Sequence, residues 1–378
     1  MCDYFGSKRK FTSLIAQGAA RLVGKDIRGL TVIDACSGSG QITQAFAGAG
    51  ANVISIDLLA LSKTIINGSV GAVDSSEAQF HISRINSLAG RKGFFYNNYC
   101  PYAGLMYFTD NNASKIDACR LYIKALPDGR MKDYLLYCGL EALGRVQNTS
   151  GHQISYLKRF KKRAKDDLTL RLEPVVCGKV DAICGDVLSV LKSEDFKRKY
   201  PKIDGLYMDP PYNERQYGAY YHIYETFVRY DQPSVRGVVR SRDWKSESKS
   251  AFCSKGTFLS FLSEVLLHSP ADKVLFSYSS DGLYSKSEIV RHIKGLGFCR
   301  SCKVSSMVQR RFKHSKHIVN TEPLFEYLFS LELVPVRIRD AGEWIVKARN
   351  ENEFRDVPKV IKPVYGLKIR SVKLGVQA

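Results

Sequence analysis

The sequence lacks the marks of an exported or membrane-embedded protein. No apolar signal core follows the first residues, Met1 to Tyr4, and no apolar run is long enough to cross a bilayer. Internal repeats and low-complexity tracts are also absent. These absences argue against a membrane protein and a solenoid, and we expect a chain without membrane contacts that works in the cytoplasm.

Paired cysteines are scarce although the chain has ten cysteines. Only Cys299 and Cys302 stand at CxxC spacing, and neither a second pair nor paired histidines accompany them. The pattern does not predict a disulfide framework or a zinc finger. We expect reduced thiols and no metal site, with a metal or redox role for this one pair as the alternative.

Acidic residues are too few to balance the basic ones. The chain has 57 Lys and Arg against 37 Asp and Glu, a formal net charge of +20. A folded domain this basic usually binds a polyanion, so nucleic acid is the first expected partner. A content of 44% hydrophobic and 25% charged residues is typical of globular proteins and argues against long disordered stretches.

Short apolar runs alternate with helical spacing in two parts of the chain. We expect buried strands at 30–33, 51–56, 180–183, 203–208, 273–278 and 325–333, and helices at 11–23, 42–47, 187–191 and 258–267. This alternation predicts an α/β fold with one doubly wound sheet.

The stretch between these two parts has a different composition. It contains Asn-rich and aromatic-rich loops, helical stretches at 115–125 and 131–143, and the basic run 158–165. We expect one α/β domain formed by 1–78 and 179–333, with an inserted, mainly helical domain at 79–178. Residues 334–378 form a basic C-terminal extension, predicted as short strands and loops.

A glycine-rich turn follows the first predicted strand. In D-A-C-S-G-S-G, Asp34 to Gly40, glycine allows a sharp turn and a close approach of a ligand to the N-terminus of the next helix. Asp57 ends the following strand, where a carboxylate can accept both hydroxyls of a ribose. The glycine-rich turn and Asp57 together favour an adenosine-containing cofactor. A surface carboxylate that caps a helix is the alternative for Asp57.

The tetrapeptide D-P-P-Y, Asp209 to Tyr212, follows another predicted strand, at the edge where open α/β sheets bind ligands. Proline nitrogens carry no donor, so the Pro210 carbonyl and the Asp209 carboxylate can both accept hydrogen bonds from one amine. Tyr212 offers an aromatic face to a flat ring. These groups suit the exocyclic amine of a base, and a rigid surface turn is the alternative.

Three motifs in this order make the chain similar to a known family. Y-F-G-S-K at 4–8, D-A-C-S-G-S-G at 34–40 and M-D-P-P-Y-N-E-R-Q-Y at 208–217 resemble the signature motifs of the Dam-like, class-alpha DNA adenine-N6 methyltransferases. Segments at 108–120, 146–158, 220–231 and 277–283 resemble the restriction-modification branch of that family. The likeness runs from residue 4 to about residue 333.

The resemblance implies a Rossmann-like methyltransferase sheet, S-adenosylmethionine as the cofactor and double-stranded DNA as the substrate. It also implies which side chains would hold each ligand. For the cofactor these are Tyr4, Gly6, Ser7, Lys8, Asp34, Gly38, Gly40, Asp57, Asp186 and Asp209. For the target adenine they are Asp209, Pro210, Pro211 and Tyr212.

The expected reaction is site-specific methylation of adenine N6 by base flipping and direct methyl transfer, in a restriction-modification or similar system. Such a system can include a cognate restriction endonuclease as a partner. A cytosine-C5 enzyme would need a Pro-Cys nucleophile motif, but here Cys100 precedes Pro101. Cytosine-N4, RNA and protein-glutamine methyltransferases use related tetrapeptides and remain alternatives, as does a non-catalytic DNA-binding module.

The inserted domain is expected to recognise the DNA sequence. Its basic residues Lys158, Arg159, Lys161 and Lys162 can neutralise phosphates, and a solvated helix face is the alternative for them. Arg215 and Gln216, just after the tetrapeptide, are candidates to fill the gap that a flipped base leaves.

Overall fold

The computed structural model describes residues 15, 18, 20, 24, 26–309, 324–334, 336–339, 343–348 and 372–376. Its strands are β1 (Thr31–Ala35), β2 (Asn52–Asp57), β3 (Lys179–Cys184), β4 (Gly205–Met208), β5 (Lys273–Ser279), β6 (Cys299–Gln309), β7 (Leu324–Leu333), β8 (Val336–Arg339), β9 (Glu343–Ala348) and β10 (Val372–Val376). They form a seven-stranded sheet in the order β3-β2-β1-β4-β5-β7-β6 and a three-stranded sheet in the order β10-β9-β8.

The helices alternate with the strands of the larger sheet and fill the region between β2 and β3. They are α1 (Gln41–Gly48), α2 (Ala60–Ser69), α3 (Ser75–Ser87), α4 (Phe94–Tyr99), α5 (Asp110–Lys124), α6 (Arg130–Val146), α7 (Val187–Lys192), α8 (Glu194–Lys199), α9 (Tyr217–Tyr220), α10 (His222–Arg229), α11 (Trp244–Glu247), α12 (Lys255–Leu267) and α13 (Lys286–Lys294). Short 3-10 helices lie at Pro101–Ala103, Lys162–Lys165 and Ala251–Cys253. None of the described helices is long and apolar enough to span a membrane.

The sheet confirms the predicted α/β class. Pairs β2–β3, β1–β4 and β4–β5 are parallel, whereas β7 runs antiparallel to both β5 and β6. Every predicted strand is present, but β6 was not predicted. Its sequence, C-R-S-C-K-V-S-S-M-V-Q, has few apolar residues because the strand pairs with β7 at the edge of the sheet. The predicted helix at 11–23 lies outside the described residues except at Ile15, Gly18 and Ala20, which are helical.

The described residues divide into two compact units. The first comprises 37–184 and 215–249, and the second comprises the remaining described residues. Sequence composition placed 215–249 with the α/β domain, whereas the structure groups this segment with the inserted helices. The two compact units therefore do not coincide with the predicted domains, and the functional division into a catalytic and a recognition domain stays a prediction.

The first unit has an aromatic core that explains this grouping. Tyr221, Tyr224 and Phe227 on and beside α10 are buried together with Phe95 and Tyr99 of α4. The buried guanidinium of Arg120, on α5, adds two hydrogen bonds to the last turn of α10: its Nε donates to the Phe227 carbonyl at 2.6 Å and its Nη2 to the Val228 carbonyl at 3.2 Å. Burying several aromatic rings stabilises this arrangement strongly.

Candidate active site

The tetrapeptide begins directly after β4, in the second unit. The register of the parallel pair β1–β4 places Ala35 opposite Met208, and the Asp209 backbone N–H donates to the Ala35 carbonyl at 3.2 Å. Asp34 at the end of β1 is only 1% exposed. The two acids Asp34 and Asp209 therefore lie at the carboxyl ends of neighbouring strands, the edge at which α/β sheets bind their ligands.

A buried tyrosine, Tyr207, lies close enough to both acids for their charges to affect its pKa. Burial raises the pKa of Tyr207 well above its usual value, and the negative charges of Asp209 and Asp34 raise it further. The phenol of Tyr207 is therefore neutral at any physiological pH. Two carboxylates against one neutral phenol make this edge suited to a ligand with N–H donors or a positive charge.

Tyr212 is oriented by the segment that follows β5. Its carbonyl accepts a hydrogen bond from the Leu283 N–H at 2.8 Å, and its ring meets the Tyr278 ring edge to face at 6.3 Å between centroids. The Tyr278 hydroxyl in turn accepts from the Tyr284 N–H at 3.0 Å. The sequence showed this segment only as a family likeness, and Tyr278 is a functional candidate that residue patterns did not single out.

Gly282 allows this packing. A Cβ at this position would lie 2.4 Å from Cζ of Tyr278, whose side chain is fully buried. Any other residue would displace the Tyr278 ring from its present position against Tyr212. Glycine is therefore needed here for a close approach rather than for its backbone conformation.

The glycine-containing part of the turn, residues 37–40, is in the first unit. The Gly40 N–H donates to the Ser37 carbonyl at 2.8 Å, and Gly38 and Gly40 have left-handed φ values of 51° and 71°. A Cβ on Gly40 would lie 2.6 Å from Cγ1 of Ile66. Gly40 therefore packs directly against Ile66 of α2, and only glycine fits at this position.

Asp57 is tied to this turn. Its Oδ2 accepts from the Gly38 N–H at 2.9 Å, and its Oδ1 accepts from the Leu59 N–H at 3.0 Å. Leu59, not Asp57, occupies the N-cap position of α2, so the helix-capping alternative does not describe this carboxylate. Burial raises the pKa of Asp57, while the two N–H groups act in the opposite direction. A carboxylate in this position retains lone pairs for the hydroxyls of a ribose.

Asp186 caps a helix in the second unit. It is the N-cap of α7, and its Oδ1 accepts from the N–H and the hydroxyl of Ser189, both at 2.9 Å. Its Oδ2 takes part in neither bond. The predicted contact of Asp186 with the adenine amine of a cofactor is not tested by this geometry and stays a prediction.

The predicted basic run is neither uniform nor an α-helix. Lys158, Arg159 and Lys162 are exposed, whereas Lys161 is tied into the fold: its Nζ donates to the Thr149 carbonyl at 2.9 Å and its N–H to Oδ1 of Asn148 at 3.0 Å. Three of the four residues are therefore exposed, which fits both contact with phosphates and the solvated-face alternative, and their role stays a prediction.

A loop of the inserted region is anchored beside the residues that follow the tetrapeptide. Gln153 is fully buried, its N–H donates to the Tyr220 carbonyl at 2.8 Å, and its Oε1 accepts from the N–H of Ile223 at 2.8 Å. Burial and then the charge of Arg215 lower the pKa of His152 in the same loop. Sequence reasoning missed Gln153, since a lone glutamine has no distinctive pattern.

Of the remaining predicted site residues, three lie in the described structure and four lie outside it. Gln216 precedes α9 and is partly buried. Pro210 is buried and Pro211 is partly buried. Tyr4, Gly6, Ser7 and Lys8 lie outside the described residues.

These observations define a class of protein first. An α/β sheet with a glycine-rich turn, an acid at the end of the next strand and a D-P-P-Y tetrapeptide at a strand end is suited to a transferase that uses an adenosine-containing cofactor on an amine. More particularly, residues 4–293 match the model of the D12 class N6 adenine-specific DNA methyltransferases. The chain belongs to this family.

Curated relatives support this assignment. The type II methyltransferase M.FokI of Planomicrobium okeanokoites is 34% identical over 248 residues, which are 63% of this chain and 37% of that protein. The type II methyltransferase M.NlaIII of Neisseria lactamica is 29% identical over 345 residues, 87% of this chain and 99% of that protein. The chain thus spans about a third of one relative and nearly all of the other.

Similarity to solved structures is weaker. The crystal structure of magnesium protoporphyrin IX methyltransferase from Synechocystis, with bound SAM, covers 86% of this chain and 79% of that chain at a TM-score of 0.32 and 11% identity.

Proposed function

We propose that this protein methylates N6 of adenine at a specific sequence of double-stranded DNA, with S-adenosylmethionine as the methyl donor. The proposal rests on family membership together with one observation: Asp209 follows β4 beside the end of β1, with Tyr212 braced against Tyr278. The cofactor supplies a methyl group on a positively charged sulfur. The remaining chemistry belongs to the protein.

Asp209 and the Pro210 carbonyl would accept hydrogen bonds from the two N–H groups of the target amine. Adenine N6 is a poor nucleophile because its lone pair is delocalised into the ring, and accepting these hydrogen bonds concentrates the lone pair on nitrogen. The nitrogen then gains the methyl group and loses one proton, on the side of Asp209. Tyr212 would stack on the base. Because the target atom is paired inside the duplex, the base must leave the helix, at a cost of a few kcal/mol that contacts with the protein offset.

The residues of the first unit fit the cofactor. The carboxylate of Asp57, held by the Gly38 N–H of the turn, suits an adenosyl group whose ribose hydroxyls donate to the acid. In the second unit, Asp34, Asp186 and Asp209 belong to the proposed cofactor set, and the acids at the strand ends suit a cationic ligand. Tyr4 and Lys8 belong to the set by resemblance alone.

The inserted region would recognise the DNA sequence, with Lys158, Arg159 and Lys162 on phosphates. The charge of the exposed Arg215 lowers the pKa of His152, in the loop that Gln153 anchors. We assign Arg215 and Gln216 to the gap that the flipped base leaves, because they directly follow the tetrapeptide. The named relatives are type II methyltransferases, which supports a place in a restriction-modification or similar system. Action in the cytoplasm and alongside a cognate endonuclease belongs to the same proposal.

Transfer of a tritiated methyl group separates this proposal from its alternatives. The full chain should label plasmid DNA but neither RNA of the same sequence nor added protein, and methylome sequencing of an expressing host should show one modified motif. Labelling of RNA or protein in place of DNA would contradict the proposed substrate. Absence of any labelling by a folded, cofactor-binding protein would favour the non-catalytic DNA-binding alternative.

A further inference from the structure

A buried carboxylate beyond the tetrapeptide contacts the cofactor half of the first unit. Glu225, on α10, is 2% exposed. Its Oε1 accepts from the Ala60 N–H at 3.1 Å and its Oε2 from the Leu61 N–H at 2.9 Å. These N–H groups belong to the first turn of α2, where no side chain of the local sequence provides a cap.

The capped turn is the one that holds Asp57. Leu59 directly precedes Ala60, and its N–H is the donor to Oδ1 of Asp57 at 3.0 Å. Glu225 thus holds the backbone directly after Leu59, whose N–H orients Asp57, the proposed ribose acid. Arg229 secures Glu225 in turn, because its Nε lies 2.6 Å from Oε1 of Glu225.

We propose that Glu225 is a positioning residue for cofactor binding: it holds the turn after β2 so that Asp57 faces the ribose. The inference rests on the proposed ribose role of Asp57. It also connects α10, which follows the target-base tetrapeptide, to the cofactor loop through hydrogen bonds rather than through apolar packing alone.

A purely structural cap and a positioning carboxylate differ in their electrostatic effect. Burial is the largest cause of the raised pKa of Asp57, and the negative charge of Glu225 raises it further. In this unit, the ionisable groups around the two acids include Arg229, Lys63 of α2 and Cys184 at the end of β3. Arg229 also lies 3.8 Å from a carboxylate oxygen of Glu247. Removing one charge from this group should change the pH at which Asp57 loses its proton.

The experiment is titration of the full chain with S-adenosylmethionine by calorimetry over a range of acidic to neutral pH. Glu225→Gln removes the charge and one acceptor, so neutral-pH affinity should fall about two- to tenfold, the range for one net hydrogen bond. The acid limb, where affinity falls as Asp57 is protonated, should move to lower pH. Arg229→Gln leaves Glu225 without its partner, and the acid limb should move to higher pH.

A matched control comes from the same unit. Asp117 is fully buried and accepts from the N–H groups of Gly93, Phe95 and Tyr96, so it also caps a helix that is distant in sequence. Asp117→Asn should lower thermal stability but leave the pH profile of cofactor affinity unchanged. A shifted profile in this variant would show that general loosening suffices and would overturn the role of Glu225.

Asp57→Ala distinguishes an error in the ribose role of Asp57 from an error in the positioning role of Glu225. It should weaken cofactor binding about 10- to 150-fold, the range for losing hydrogen bonds to a charged group. If Asp57→Ala binds the cofactor like the wild type, the ribose assignment is wrong. If Asp57→Ala loses affinity but Glu225→Gln and Arg229→Gln both keep the wild-type acid limb, only the role of Glu225 is wrong. If Glu225→Gln does not fold, the acid limb of Arg229→Gln alone tests the role of Glu225, and a wild-type acid limb in this variant would overturn it.

Discussion

The bracing of Tyr212 leads to a prediction about Gly282. In Gly282→Ala the new methyl group would start 2.4 Å from Cζ and 2.5 Å from the hydroxyl oxygen of Tyr278. That ring is fully buried, packed edge to face against Phe258 at 5.4 Å, and cannot turn away freely. The ring must shift, and its contact with Tyr212 and its hydrogen bond from Tyr284 loosen together.

The size of the effect follows from these contacts. An aromatic pair of this geometry contributes ~0.5–1.5 kcal/mol, so losing it should slow methyl transfer about 2- to 12-fold if Tyr212 stacks on the target base. Overpacking of a buried site should also destabilise the fold by ~1–3 kcal/mol. The affinity for S-adenosylmethionine should stay near that of the wild type.

The assay is the single-turnover rate of methyl transfer to DNA at saturating cofactor, alongside thermal unfolding. Gly256→Ala is the matched control, because Gly256 lies in the first turn of α12 and the nearest neighbour of its new Cβ would be Oγ of Ser254 at 3.9 Å. This control should keep the wild-type rate and gain up to ~1 kcal/mol of stability. A folded Gly282→Ala variant with the wild-type rate would refute the bracing of Tyr212.

Two further predictions concern the first unit. Replacing Lys158, Arg159 and Lys162 together with Ala should lower the slope of log K against log salt for DNA binding by up to ~0.9 per phosphate contact. Lys161→Ala, the control, should mainly lower thermal stability. An unchanged slope in the triple variant would show that these charges do not contact DNA. Burial lowers the pKa of His222 from 6.5 to about 4, so the unfolded chain binds more protons in that interval, and stability should fall by roughly 3 kcal/mol as pH drops through it. Thermal melts of a folded His222→Asn variant should show a weaker acid dependence, and an unchanged dependence would assign it to other groups.

Much of the fold could be predicted from the sequence because buried parallel strands are short, continuous apolar runs. β1, β2 and β4 are of this kind, and each ends near an acid or a glycine that marks the ligand edge. β6 could not be predicted in this way, since an edge strand with a polar sequence has no apolar run. Its pairing with β7 is a tertiary property.

The site was predictable where chemistry depends on neighbours in sequence. The tetrapeptide and the glycine-rich turn are local motifs, so their residues could be named in advance. Glu225, Gln153 and Tyr278 act through partners far along the chain, and a single Glu, Gln or Tyr carries no local signal. The structural use of Lys161 was hidden for the same reason, because only the fold brings Thr149 and Asn148 to it.

The most direct test of the central claim is the identity of the methylated nucleoside. DNA treated with the wild-type protein and S-adenosylmethionine is digested to nucleosides and analysed by mass spectrometry, in parallel with DNA treated with a folded Asp209→Ala variant. We expect N6-methyladenine alone from the wild type, and a single-turnover rate lower by ~10²–10³ in the variant, the effect of deleting one preorganised hydrogen-bond partner. N4-methylcytosine as the product, or equal N6-methyladenine formation by the Asp209→Ala variant, would contradict the account.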